Sequence, residues 1–300
     1  MNPLNKLLVG ITSALPKKFV KIFANRYIAG ITLDDVIDKA RLLNGKNIMA
    51  TIDVLGESVS DKKEAERMKD SCCEVLHAVD NYELKANLSI KLTSLALTLD
   101  YDFCKSLVSE IIQTAKQTEN FVRIDMEDSP VTDITIQMYE DMRKIYDNTG
   151  LVLQAYLRRT EEDAKRLMKE KSNFRLCKGI YIEPEEIAFK GRQEIRDNYL
   201  KLLRLMFENK AYVGIATHDD NLIDGAMKLI KELSLQNNEY EFQMLLGVRE
   251  GLHDKILKEG NRLRIYTPFG ERWYEYSIRR FKENPNFAGQ VVKGILTGGR

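Results

Sequence analysis

What most constrains the fold of this chain is an alternation of strand-like and helix-like segments, repeated eight times between Asn47 and Glu283. Strand-formers fill Asn47–Leu55, Ala86–Leu92, Phe121–Met126, Leu151–Leu157, Arg175–Tyr181, Tyr212–Ala216, Tyr240–Leu245 and Arg262–Tyr266. A charged, helix-patterned stretch follows each of them: Asp61–Ala78, Tyr101–Lys116, segments opening at Ser129-Pro130 and at Thr160, Glu186–Asn209, a segment from Asp220, Leu252–Lys258 and Glu271–Glu283. Local chemistry marks several helix starts. Asp61/Glu64 and Thr160/Asp163 have capping-box spacing, and Ser129-Pro130 supplies an N-cap and a first-turn proline. Eight such units are the count and length of an α/β fold of the (β/α)8 TIM-barrel type. A doubly wound open sheet is the alternative, weakened by the absence of Gly-x-Gly-x-x-Gly and of a Walker-type phosphate loop. With 300 residues the chain can bury one full core of this kind. The expected division is N-terminal helices over 1–45, including a short one at Leu33–Leu43, a barrel over 46–284 and a tail over 285–300.

Charge excludes some functions. Charged residues make up 30% of the chain, yet the net charge is +1, so no global field favours nucleic acid. Cys72, Cys73, Cys104 and Cys177 lack metal-ligand spacing and read as free intracellular thiols. No segment approaches a membrane span. The run Leu7–Leu15 makes a weak signal peptide, and the expected location is the cytoplasm. Residues 1–30 carry Lys6, Lys17, Lys18, Lys21 and Arg26 without an acidic residue, and leucines recur there at helical spacing. Such a helix either lies peripherally on an anionic membrane surface or packs on the domain with solvated cations; the second is the commoner arrangement.

In TIM barrels active sites gather at the C-terminal strand ends. Read in order, those ends carry Asp53 and Glu57, Lys91, Asp125, Gln154, Arg175 to Tyr181, His218, Gln243 and Tyr266. Strand alternation puts Arg175, Cys177, Gly179 and Tyr181 on one face and Leu176, Lys178 and Ile180 on the other. Arg175 and Lys178 in a central strand would be largely withdrawn from water and need anionic partners; in an edge strand both would be solvated. Gly179 permits close approach of a backbone or a flat ligand. On the last helix, Trp273, Tyr276, Arg280 and Glu283 share a face, with Arg279 beside them. Lys91, Arg175, Lys178, Arg279 and Arg280 thus converge with several tyrosines, which suits a small carboxylate with a hydrophobic body beside something anionic and flat. Asp53, Asp125, His218 and Asp219 imitate a divalent-metal barrel, but one histidine with scattered carboxylates has no diagnostic spacing, and no metal site is expected. His77 and His253 lie in helical stretches, and no motif points to covalent catalysis.

These residues resemble the proline dehydrogenases, both the short bacterial enzymes and the proline dehydrogenase domain of bifunctional proline-utilisation flavoproteins. The matching segments, in family order, are Asp53–Glu57, Ser89–Leu92, Arg123–Met126, Gln154–Arg158, Arg175–Tyr181, Ala216–His218, Glu241–Gln243, Arg264–Pro268 and Tyr276–Arg280 with Glu283. The resemblance implies a barrel that holds FAD at its mouth without a Rossmann fold. It also implies oxidation of L-proline to Δ1-pyrroline-5-carboxylate by hydride transfer to flavin N5, with electrons passed to a membrane quinone and the product to a pyrroline-5-carboxylate dehydrogenase. By motif, Lys91, Arg279 and Arg280 would hold the substrate carboxylate, and Leu176, Tyr181, Tyr266 and Tyr276 would line its ring. Gln154, Arg175, Lys178, Gly179, Ile180, His218 and Gln243 would meet FAD, Asp125 and Glu283 would support the site, and Glu57 would gate it with Arg279. Arg175 would stabilise negative charge gained on flavin reduction. Two positions depart from the family pattern: Ile180 stands where a small residue is usual beside the flavin, and Cys177 where valine is common. No residue has a sequence context that marks it as the base for the substrate amine. A metal-assisted lyase or isomerase and a non-catalytic carboxylate-binding barrel are the competing readings.

Overall fold

The computed structural model of the protein describes residues 21, 24–56, 59–169 and 172–283, with the backbone alone for 279–283. The basic segment 1–20, Glu57 and the tail 285–300 lie outside the described residues.

Eight parallel strands close on themselves in chain order, and helices alternate with them. The strands are β1 (Met49–Val54), β2 (Ala86–Ile90), β3 (Val122–Ile124), β4 (Thr149–Gln154), β5 (Asn173–Cys177), β6 (Tyr212–Ala216), β7 (Tyr240–Leu245) and β8 (Leu263–Phe269). The helices are α1 (Leu33–Asn44), α2 (Lys62–Asn81), α3 (Tyr101–Gln117), α4 (Thr132–Ile145), α5 (Thr160–Leu167), α6 (Arg192–Glu208), α7 (Asp220–Glu232), α8 (Gly251–Lys258) and α9 (Trp273–Glu283). Closure is made where β1 pairs with β8, from Met49 opposite Arg264 to Val54 opposite Phe269. The α1 helix, whose Thr32/Asp35 capping box fixes its start, packs across that seam. The fold is the (β/α)8 barrel that the eightfold alternation predicts.

The strands alternate in an informative way. One face carries Ala50, Ile52, Leu88, Ile90, Val122, Ile124, Leu151, Leu153, Phe174, Leu176, Val213, Ile215, Phe242, Leu263 and Ile265, all buried in one apolar cluster with the helices. The other face, inside the barrel, carries Thr51 and Asp53, Asn87 and Ser89, Arg123 and Asp125, Glu241 and Gln243, Arg264 and Tyr266. Cross-barrel hydrogen bonds join these side chains. TIM-barrel interiors are usually filled by branched apolar side chains. This one is filled by paired charges and amides in two layers, one at the N-terminal floor and one at the C-terminal mouth.

Several boundaries differ from the sequence reading, each for a local reason. Strand β5 ends at Cys177 rather than Tyr181. Gly179 then takes φ +105°, and a Cβ there would lie 2.1 Å from the Tyr156 ring, so an aromatic side chain already fills the space the missing side chain leaves. Helix α6 begins at Arg192 rather than Glu186, because residues before it pair with the loop after β4. Arg158 N–H donates to the Ile187 carbonyl at 2.9 Å, and Phe189 N–H to that of Tyr156 at 2.8 Å. The Thr160/Asp163 box does not form: the Thr160 hydroxyl donates to the Gln154 carbonyl at 2.6 Å, and Asp163 takes the Arg159 guanidinium. Ser129 does not act as an N-cap either. It lies within a 3-10 turn, Ser129–Val131, and its N–H (2.7 Å) and hydroxyl (2.5 Å) both donate to the Glu183 carboxylate. Asp61 does cap α2, accepting from Glu64 N–H at 2.9 Å, whereas Glu64 reaches back to Ser60 N–H rather than to Asp61.

Candidate active site at the barrel mouth

Two neighbouring strands end in opposite charges. Asp53 ends the inward face of β1 and Lys91 directly follows β2; Lys91 Nζ donates to Asp53 Oδ1 at 2.7 Å and to the Tyr266 hydroxyl at 3.0 Å. That hydroxyl donates to Asp125 Oδ2 at 2.8 Å. Asp125 Oδ1 accepts from Ser89 Oγ at 2.6 Å and from Arg175 Nη1 at 2.7 Å. Arg175 Nε in turn donates to Gln243 Oε1 at 2.6 Å. The Arg175 guanidinium lies 5.1 Å from the centroid of the Tyr266 ring, within cation–π range. Two cations and two carboxylates are therefore withdrawn from water as a mutually paired set, the condition on which buried charge is tolerated.

The two carboxylates behave differently. Burial pushes the Asp53 carboxyl up despite Lys91 beside it. Burial also raises Asp125, but Arg175 and Lys91 outweigh it and hold Asp125 below its ordinary value. Lys91 is pulled down by burial and raised further by Asp53 and Asp125, so it stays an ammonium. Burial, then Asp125, pushes the Tyr266 phenol well above its usual range, so it remains a donor.

Above this cluster lies a cavity of about 260 Å³, lined among others by Lys91, Gln154, Lys178, Ile180, Tyr181 and Tyr276. Asp125, Arg175, Gly179, His218, Gln243 and Tyr266 line it as well. Most of the candidate residues named from the sequence thus meet in one cavity. Tyr276 is buried there because α9 packs on Ala24, Ile28 and Leu55. Arg279, Arg280 and Glu283 follow on the same helix, their side chains outside the described residues, as is Glu57.

Not every expected residue faces the cavity. Leu176 does not line it: next to inward-pointing Arg175, it turns outward into the helix layer with no exposed surface. Lys178 is not withdrawn from water. Its side chain is 41% exposed and pairs with Asp219 at 3.3 Å. Asp219, weighed above as a metal ligand, is occupied by both nitrogen arms of Arg196 at 2.8 and 3.0 Å while capping α7. His218 Nε2 accepts from Leu245 N–H at 3.0 Å, which leaves Nδ1 to carry the ring proton. Ile180 is half-exposed at the rim.

Three buried polar atoms at the mouth have no hydrogen-bond partner among the described residues: Asp53 Oδ2, Gln154 Oε1 and Arg175 Nη2. Gln154 is oriented by its own amide, which donates to the Glu127 carbonyl at 2.8 Å. Buried polar atoms are rarely left unpaired, so such a cluster marks where a ligand's polar edge belongs. Asp53 stands among the strand-end residues expected at the mouth, but its role as the counterion of Lys91 is not legible in the sequence, and Ser89 and Arg196 as supports are residues that sequence reasoning missed. The available signal was that Asp53 and Lys91 stand at the C-terminal ends of adjacent strands.

Fold and mouth together define the class: a TIM-type barrel with a polar, cation-bearing pocket at the C-terminal ends of its strands. The family model for proline dehydrogenase matches residues 36–293. Proline dehydrogenase 2 of Bacillus subtilis (strain 168) is 37% identical over 275 residues, covering 92% of this chain and 91% of that protein. The proline dehydrogenase of Deinococcus radiodurans is 31% identical, covering 92% and 90%. Among solved structures, proline utilization A from Bdellovibrio bacteriovorus, inactivated by N-propargylglycine, superposes with a TM-score of 0.83 at 25% identity. That match covers 90% of this chain, which spans only 33% of the larger protein. The chain belongs to the proline dehydrogenase family, oxidoreductases whose reaction is the dehydrogenation of proline.

Proposed function

We propose that this chain oxidises L-proline to Δ1-pyrroline-5-carboxylate with FAD held at the barrel mouth. The observation that carries the cofactor assignment is the pair of unpartnered buried atoms, Gln154 Oε1 and Arg175 Nη2, on one cavity. An acceptor and a cationic donor on one cavity suit a flat heterocycle that presents N–H and C=O groups on one edge, as the flavin pyrimidine ring does. The residues present therefore fit the group. Gln154, Arg175, Lys178, Gly179, Ile180, His218 and Gln243 would hold it. When bound, FAD supplies the two-electron oxidation that turns the C5–N bond of proline into C=N.

The chain's own residues bind, orient and manage charge. Lys91 presents an ammonium to the cavity, held by Asp53 and by the Tyr266 hydroxyl. With Arg279 and Arg280 it would take the proline carboxylate; the Tyr181, Tyr266 and Tyr276 rings would bound the pyrrolidine and exclude water. Asp125 fixes both Tyr266 and Arg175, and with them the relative position of substrate and cofactor. Glu283 would support the site, and Glu57 would gate it with Arg279. The product is a cyclic imine that water opens to an aldehyde, so a dehydrogenase acting on Δ1-pyrroline-5-carboxylate is the fitting partner downstream. The electron acceptor proposed is a membrane quinone. Among the described residues no helix is long and apolar enough to cross a bilayer. Contact would then fall to the lysine-rich segment 1–30, at the inner face of the membrane from the cytoplasm. Salt-sensitive cosedimentation with anionic vesicles, reduced when Lys17, Lys18 and Lys21 become glutamine, checks that contact.

The test of the activity is turnover of L-proline by FAD-loaded protein with a soluble dye acceptor, with the imine product trapped. Product formation that requires FAD is expected. Turnover that proceeds without FAD and only with a divalent metal would replace this reading with the metal-assisted one.

A further inference from the structure

The opposite end of the barrel holds a second polar cavity, of about 210 Å³. Its walls come from the N-terminal ends of the strands, among them Asn87, Asn173, Glu241 and Arg264, so it lies at the floor, on the other side of the polar interior from the mouth. Three arginines line it, Arg123, Arg262 and Arg264, against one carboxylate, Glu241. The charge of Glu241 is matched by Arg264, which grips it at 2.6 and 3.1 Å. Three positive charges against one negative leave an excess of two.

Arg123 is the unusual member. It is 2% exposed, yet it makes no ion pair among the described residues. Its Nη1 donates to the Leu151 and Asn173 carbonyls at 3.1 and 2.8 Å, and its Nη2 to Asn173 Oδ1 at 2.5 Å. Its Nε has no partner among the described residues. The chain makes room for this side chain: a Cβ on Gly150 would lie 2.5 Å from Arg123 Nη1, so no larger residue fits beside it. Burial, and then the Arg175 guanidinium, push Arg123 down to about 9, still a cation at neutral pH. Buried cations ordinarily have anionic partners. Arg262, half-buried at the rim, likewise makes no ion pair among the described residues and lies 5.9 Å from the Tyr212 ring centroid.

We propose that the barrel floor is a binding site for a small doubly charged oxyanion of the phosphate type, held by Arg123 Nε and the Arg262 guanidinium. Planar guanidinium forks match oxyanion geometry, and a dianion cancels the excess charge of the cavity. Asn173, already fixed by Arg123, and Asn148 at the entrance add amides to the wall. No step of proline oxidation uses this site.

The test is binding of inorganic phosphate to FAD-loaded protein, measured by calorimetry and by thermal shift against chloride at matched ionic strength. Saturable binding with one-site stoichiometry is expected, together with a rise in melting temperature that chloride does not reproduce. Arg262→Gln, at a half-buried rim position that makes no ion pair among the described residues, should keep the fold and proline turnover while weakening phosphate at least about tenfold, a loss of about 1.4 kcal/mol. Arg262→Lys should lie between the two. Titration without saturation, equal affinity in Arg262→Gln, or displacement of phosphate by excess L-proline would each overturn the proposal, the last by moving the anion to the mouth.

Discussion

The two polar layers inside this barrel are built from the same residue types and end in different states. At the floor, Glu241 accepts from both nitrogen arms of Arg264, from Gln243 Nε2 at 2.7 Å and from the Tyr212 hydroxyl at 2.8 Å, so its acceptor capacity is filled. At the mouth, Asp53, Gln154 and Arg175 each keep a buried atom without a partner among the described residues. Gln243 joins the layers, donating down to Glu241 and accepting from Arg175 above. A saturated carboxylate contributes to stability. A cluster with vacant donors and acceptors holds its charges ready for something else. The contrast points to function at the mouth and to stability at the Glu241–Arg264 pair, and it leaves Arg123 Nε as a buried floor donor with no partner among the described residues.

The largest effect that would break this contrast is expected at the mouth. Lys91→Met should lower kcat/KM for L-proline by about a hundredfold to a thousandfold, in line with the ~2–5 kcal/mol lost on truncating one partner of a buried charged pair. Stability should fall much less, because Asp53, already pushed up by burial, can take a proton once the ammonium is gone. Kinetics and melting curves measured together decide it. A variant that melts early yet turns over normally while folded would reverse the roles of the two layers.

At the floor the signature is acid sensitivity. Glu241 is raised by burial, but Arg264 beside it more than compensates and holds it at about 2, against an ordinary value of 4.5. A depressed carboxyl contributes stability that is complete above the unfolded value and is lost as pH falls toward the folded one. The gap corresponds to about 3 kcal/mol at neutral pH. Glu241→Gln should therefore destabilise by that order near neutrality and flatten the loss of stability between pH 4.5 and about 2. Parallel acid-unfolding curves for parent and variant would contradict the assignment.

Smaller changes sharpen the comparison. Tyr266→Phe removes the hydroxyl that accepts from Lys91 and donates to Asp125, and should cost roughly fivefold to tenfold in kcat/KM, about 1–1.5 kcal/mol. An unchanged KM and kcat would mean the hydroxyl holds neither partner in place. Least of all, Lys178→Gln should change stability by less than about 1 kcal/mol, since the pair is half-exposed and Arg196 still holds Asp219. Its effect should appear in FAD affinity, measured by equilibrium dialysis. Equal affinity would remove Lys178 from the proposed cofactor set.

Much of this could be read from the chain. Strand-formers alternating with helix-patterned stretches mark eight units, although of the three expected caps only Asp61 forms, and the polar residues at strand ends point to the mouth. What escaped was pairing across the barrel. Glu241 and Arg264 are 23 residues apart, and Arg175 and Asp125 are 50 apart, so no local pattern announces either pair. Yet the alternation of polar and apolar residues in Thr51/Asp53, Asn87/Ser89, Arg123/Asp125 and Arg264/Tyr266 already signalled a polar interior. Leu176 belongs to the pocket by motif alone; the period of the strand puts it outside. The later helix start at Arg192 depended on pairing between two loops, which propensity does not report.

The central claim is that the unfinished mouth binds proline against a flavin. Anaerobic titration of FAD-loaded protein with L-proline, followed by flavin absorbance in parent and Lys91→Met, tests it most directly. Bleaching of the parent at stoichiometric reduction is expected, and bleaching of Lys91→Met only at far higher proline concentration. Flavin that stays oxidised under excess L-proline, or identical titrations for the two proteins, would contradict it.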